Sequence, residues 1–153
     1  MGWGVIRQDG NRLRYVQHGA IVTPPDWEMP RRLGRLFDGV TELVRGYRPG
    51  TMAIEELFFN TNVTTAITVG QARGAALLAA YKAGLEVSEY TPLQVKQAVT
   101  SYGRADKRQV QEMVKALLNL PAIPRPDDAA DGLAIAICHA FSSNLPGKVG
   151  VGK

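Results

Sequence analysis

The segment MAIEEL closes a short apolar stretch with two acids, Glu55 and Glu56. A carboxylate at the end of a buried strand is costly to desolvate unless something pairs with it. Successive strand residues face opposite ways, so only one of the two shares a face with Ala53. One reading holds a carboxylate at the core's edge for chemistry. The other is a plain strand end with both acids reaching water. A second acidic group, Asp127, Asp128 and Asp131, opens DDAADGLAIAICHAF. Asp128 and Asp131 stand at i and i+3, on one helical face. Aspartates at a helix start also serve as caps and complement the dipole. The helix behind them is almost wholly apolar, so it must be buried, which keeps its first turn near the core. Carboxylates crowded together from separate elements repel unless a cation stands between them. An all-oxygen ligand set suits Mg²⁺ or Mn²⁺. The two histidines, His18 and His139, fall on different elements without the spacing of zinc ligands.

The third group is basic. Lys96 lies in one capped helix, and Arg104, Lys107 and Arg108 surround the start of the next. A helix N-terminus flanked by Arg and Lys is a ready phosphate site; the alternative is solvated surface charge. Phe58 and Phe59 directly follow the acid-bearing strand. Two adjacent aromatics cannot both enter one core face, so either one is exposed and able to stack on a base, or both pack in core and loop. Acids, a cation between them and phosphate-binding lysines are the parts of metal-dependent phosphodiester hydrolysis.

The elements that must position these groups follow from periodicity. Trp3–Arg7 and Arg12–Val22 read as strands, the second broken near Gly19, joined by a tight turn at RQDGN. Leu33, Leu36, Val40, Leu43 and Val44 give an amphipathic helix over residues 30–47. TMAIEEL and LEVSEYT are strands. Between them a helix over residues 64–83 carries Ala66, Gly70 and Gly74 on one face. That stripe suits close approach by another backbone, either the chain's own sheet or a helix of a second subunit. Thr91, with Pro92 and Gln94, and Asp106, with Gln109, are capping-box starts of two further helices. Strands first, then strands alternating with helices, point to an α/β domain with a mixed sheet. Residues 1–142 form that domain, and residues 143–153, SNLPGKVGVGK, have the composition of a disordered tail.

Composition narrows the function classes. A chain of 153 residues, 45% hydrophobic, supports one domain with a real core. No apolar run approaches the ~20 residues of a membrane span, and the opening turns polar too early for a signal peptide. The single cysteine, Cys138, makes no internal disulfide and reads as a small buried hydrophobe. A cytoplasmic location is expected. The net charge of +4 favours an anionic partner.

GWGVIRQ, MAIEELFF, VGQARGAALLAA, YTPLQVKQAVTSYGRADKRQVQEMVKALLNLP and DDAADGLAIAICHA, in this order, resemble the RuvC family of bacterial Holliday junction resolvases. The resemblance spans nearly the whole chain apart from the tail. It implies an RNase H-like fold, with a mixed five-stranded sheet flanked by helices. It implies a homodimer that cuts opposed strands of four-way junction DNA symmetrically in homologous recombination and repair, with Mg²⁺ or Mn²⁺ at each site, beside RuvA and RuvB. Position by position, Glu55, Asp128 and Asp131 match the family's metal-binding catalytic acids, with Asp127 as an extra acid or cap. Phe58 matches its junction-contacting phenylalanine, Lys96 and Lys107 match two DNA-handling lysines, and Arg104 joins them in binding phosphate. The helix over residues 64–83 matches the subunit interface.

The departure is at the front. The family opens with a central strand ending in GIDPG, whose aspartate is a metal ligand, and these residues hold no counterpart; Asp9 falls in the hairpin turn. The expectation is a first strand lying before Met1, and a chain that by itself leaves sheet edges unpaired and folds poorly or is inactive. Two rival functions stay open: a non-catalytic junction- or DNA-binding protein, and an RNase H-like nuclease of another nucleic acid.

Overall fold

The computed structural model describes residues 1–57 and 62–143. Its element order is β1 (Gly2–Asp9), β2 (Arg12–Ala20), α1 (Met29–Tyr47), β3 (Thr51–Glu55), α2 (Val63–Lys82), β4 (Glu86–Tyr90), α3 (Pro92–Thr100), α4 (Lys107–Leu117) and α5 (Asp127–Ser143). The strand and helix assignments match the sequence reading to within a residue or two. The helix bearing the last acids runs to Ser143, one residue into the expected tail; the rest of that tail lies outside the described residues.

β1 and β2 form an antiparallel hairpin turning at Gly10, whose φ of 61° is the left-handed conformation glycine adopts freely. The register slips between Val5 and Ile6, where Val16 is the extra residue of a bulge. β3 and β4 are parallel, from Thr51 opposite Glu86 to Glu55 opposite Tyr90, joined through α2 as a βαβ unit. The α/β class, strands flanked by helices, is as expected. The four described strands make two separate two-stranded sheets, β1–β2 and β3–β4. β1 lies so close to α5 that a Cβ on Gly132 would come within 2.7 Å of the Trp3 carbonyl carbon, and one on Gly4 within 2.6 Å of Leu133. The Met1 amino group also donates to the Ile21 carbonyl at 2.8 Å.

α5 is the centre of the molecule. Its Ala129, Ala130, Leu133, Ala134, Ile137 and Cys138 are fully or almost fully buried. Around it Tyr90, Val95, Val99, Val110 and Val114 complete one core cluster, while Ile21, Leu36, Val40, Ala76 and Ala79 pack a second one involving α1 and α2. The apolar burial that the sequence demanded of this helix is thus met, and Cys138 is buried as expected. Both capping boxes form: Thr91 accepts from the Gln94 amide at 3.1 Å, and Asp106 from that of Gln109 at 2.8 Å. Each fixes the first turn of a helix that carries a candidate lysine. No described helix is long and apolar enough to cross a membrane.

The buried residues of α2 are Ala76, Ala79 and Ala80, the first two packed in one cluster with Leu36 and Val40 of α1, and not the small-residue stripe. Among the described residues, leaving aside the helix's own backbone, nothing lies within 4 Å of where a Gly74 Cβ would stand, and Gly70 meets Leu57 at 3.8 Å.

Candidate active site

Glu55 ends β3, Lys96 lies on the second turn of α3, Lys107 begins α4, and Asp131 stands in the second turn of α5. The fold brings these four to one cavity of ≈ 230 Å³, floored by Val95, Val110 and Ala134. The apolar floor has an electrostatic consequence. Partial burial raises the pKa of the Glu55 carboxyl above its ordinary value, the negative charge of Asp131 raises it further, and Lys96 opposes both. Burial likewise raises the pKa of Asp131; Lys107, with its Nζ 4.0 Å away, opposes this, and Asp128 and Asp127 add to it. Two carboxylates therefore face one cavity, the charge of Asp131 disfavouring that of Glu55, with lysines lining the same cavity.

The three aspartates of α5 divide. Asp127 is tied down: it pairs with Arg125, sits 3.5 Å from Lys107 Nζ, and accepts from Gln111 Nε2 at 3.3 Å. Slight desolvation, which alone would raise its pKa, is outweighed by Lys107 and Arg125, so its carboxyl lies below the usual range. That is the behaviour of an anchor. Asp128 is exposed and does not line the cavity; it stands where α5 meets β1, and a Cβ on Gly2 would strike its backbone carbonyl. The predicted set of Glu55, Asp128 and Asp131 is thus only partly assembled: Glu55 and Asp131 share the cavity, and Asp128 reaches Asp131 through its charge alone. Among the described residues no group of three or more His, Cys, Asp and Glu is arranged to hold a metal ion. The chemistry of the pair still fits a divalent cation. Both members offer hard oxygen donors, and their mutual repulsion is what such an ion relieves.

Arg104 is exposed in the turn before α4, outside the cavity. Phe58 lies outside the described residues. The histidines are structural links. His139 joins Tyr90 Oη at 2.8 Å and Thr51 Oγ1 at 3.2 Å, while His18 joins Tyr15 Oη at 2.9 Å and the Arg125 carbonyl at 3.2 Å.

The sequence reading missed three residues that brace this site. Gln111, 5% exposed, holds Asp127, and His18 ties the loop before α5 to β2. Arg73 donates through Nε to the Glu55 carbonyl at 3.1 Å. Arg73 left a signal, as the sole charged residue between Val63 and Tyr81. Gln111 left none, because its neighbour Asp127 is distant in the chain.

The comparisons agree with this geometry. The family model described as "Crossover junction endodeoxyribonuclease RuvC" matches residues 1–139. The chain is 80% identical to the crossover junction endodeoxyribonuclease RuvC of Rubrobacter xylanophilus, over all of this chain and 86% of that protein. It is 56% identical to the one from Chloroflexus aggregans, over 99% of this chain and 92% of the relative. Among solved structures it is similar to Thermus thermophilus RuvC in complex with a Holliday junction substrate. There the TM-score is 0.88 at 40% identity, covering 93% of this chain and 87% of that one. The free Thermus thermophilus RuvC gives a TM-score of 0.85. Fold, order of motifs and near full-length identity lead to one assignment: the chain belongs to the RuvC family of crossover junction endodeoxyribonucleases.

Proposed function

We propose that this protein resolves four-way DNA junctions in homologous recombination and repair by hydrolysing one phosphodiester in each of two opposed strands. The nuclease chemistry of the family depends on a divalent metal; here the ion is Mg²⁺, with Mn²⁺ able to substitute. The observation that carries the reading is the pairing of Glu55 and Asp131 across one cavity between Lys96 and Lys107. Carboxylates facing DNA without a cation would repel its phosphates, so a pure binding surface would not place them there.

Glu55 and Asp131 would hold the ion in the cavity, and Asp128, exposed in the first turn of α5 and outside the cavity, would add its negative charge beside Asp131. The bound cation supplies water activation and neutralises charge developing at the phosphate. Lys96 and Lys107 draw the scissile phosphate to the carboxylates and orient it. Arg104, exposed beside α4, holds the phosphates that flank it. Phe58, following the acid-bearing strand, packs at the crossover.

The protein acts as a homodimer through α2. Val63, Ile67, Leu78 and Tyr81, from 52 to 80% exposed, line one face of that helix with Gly70 and Gly74 between them. Small residues flanked by large apolar ones let a second helix approach closely, and two copies give the two cuts that resolution needs. By family resemblance it works beside RuvA and RuvB.

The test is cleavage of a synthetic four-way junction. The expected result is cutting only with Mg²⁺ or Mn²⁺, loss of about 10²–10³ in rate for Glu55→Gln or Asp131→Asn, as for removing one charge-stabilising group, and retained junction binding. Near-parental cutting by either variant overturns the site assignment.

A further inference from the structure

Arg73 bridges three elements at the edge of the candidate active site. It projects from α2 with its side chain 18% exposed, and its Nη2 pairs with Glu89 Oε2 of β4 at 2.7 Å. Its Nε donates to the backbone carbonyl of Glu55, the last residue of β3, at 3.1 Å. On the other side of the same peptide, the Glu56 amide donates to the Tyr90 carbonyl at 2.7 Å. The Glu55–Glu56 peptide is therefore clamped from both ends where the β3–β4 ladder stops.

We propose that Arg73 is a positioning residue for Glu55, fixing the strand end from which the glutamate reaches the cavity. The inference rests on the junction-cleavage reading above and deepens it. Only a guanidinium suits the position. Its planar fork sends rigid N–H groups in two directions, toward a carbonyl and a carboxylate at once, whereas a lysine ammonium is a single point charge. Its own charge is neutralised by Glu89 at charge-assisted hydrogen-bond distance. Arg73 is also not among the groups that shift the Glu55 carboxyl, which are burial, Asp131 and Lys96. Its link to Glu55 thus runs through the backbone, and its value lies in orientation. A displacement of about 1 Å at a reacting group can cost on the order of 10² in rate.

Arg73→Ala, Arg73→Lys and Glu89→Gln test this against the parent. The measurements are single-turnover cleavage of a four-way junction at saturating Mg²⁺, junction binding without metal, and amide hydrogen exchange. For Arg73→Ala the cleavage rate falls about tenfold to a hundredfold, the size expected of lost orientation, while junction affinity stays within about twofold. The Glu56 amide loses exchange protection, and the Leu133 amide in the core keeps it. Arg73→Lys makes one of the two bonds and recovers thermal stability without recovering the rate. Glu89→Gln keeps the bond to the Glu55 carbonyl and loses less rate than Arg73→Ala. Cleavage by Arg73→Ala at the parental rate overturns the proposal. So does an equal loss of cutting and binding with Glu56 still protected, which would make Arg73 a DNA contact. Glu55→Gln is the control. If it cuts normally, the reading of the site fails, and the exchange measurement, which needs no cleavage, still decides whether Arg73 holds the strand end.

Discussion

Glu55 and Asp131 are held where their charges are unwelcome, and this has a measurable sign. Each has a pKa raised in the folded protein by burial first, then by neighbouring acid. The folded state thus takes up a proton more readily than the unfolded chain. The stability each carboxyl contributes is complete below its unfolded pKa, about 4, and is lost as pH rises through the raised folded value. Metal-free Glu55→Gln is therefore expected to melt above the parent at pH 7, with the gap closing toward pH 4. Adding Mg²⁺ should stabilise the parent more than the variant. Thermal melts with and without chelator check both statements; a Glu55→Gln protein melting below the metal-free parent at pH 7 would refute the repulsion. Asp127 behaves oppositely. Already satisfied by Lys107, Arg125 and Gln111, it serves as an anchor, so Asp127→Asn should cleave junctions within about threefold of the parent, far from the loss for a charge-stabilising group.

At the scale of elements, the cavity depends on two helix starts and one close contact. Asp106 fixes the first turn of α4 and with it Lys107. Asp106→Ala should cost about 1 kcal/mol by chemical denaturation, the usual value of an N-cap, and should weaken phosphate contact beyond that loss. The contact is β1 against α5, where Gly132 leaves no room for a methyl group beside the Trp3 backbone. Because backbone cannot yield as a flexible side chain can, Gly132→Ala should destabilise by about 1–3 kcal/mol. Gly74→Ala has open space around it and should stabilise the isolated subunit by up to about 1 kcal/mol, the helix-propensity gain over glycine. The two glycines look alike in sequence and are separated only by what the tertiary structure places opposite them.

For the whole molecule, the exposed apolar face of α2 is the feature that the described residues of a single chain do not cover. Ile67 is 55% exposed and Leu78 is 52% exposed, so charging either should leave the subunit folded. Ile67→Glu is expected to yield a monomer by sedimentation at micromolar concentration, and the parent a dimer. It should also uncouple the two cuts, so that nicked junctions accumulate in place of resolved duplexes. A parent protein that sediments as a monomer, or a variant that stays dimeric, would move the interface away from this face.

The sequence alone determined the helices and strands, because periodicity, capping boxes and the Gly10 turn are written within a few residues of one another. It also determined which acids and lysines were candidates, because burying an apolar strand or helix drags its terminal charges to the edge of the core. The tertiary structure decided the rest. It separated Asp127 the anchor from Asp131 the cavity acid, four residues apart in one stretch of similar aspartates, through partners on α4 and in the loop before α5. It put Asp128 against β1 instead of over the cavity. It brought Arg73 to a carbonyl 18 residues away. These outcomes depend on which surfaces meet after the chain has packed, and contacts between distant residues leave no local pattern from which to read them.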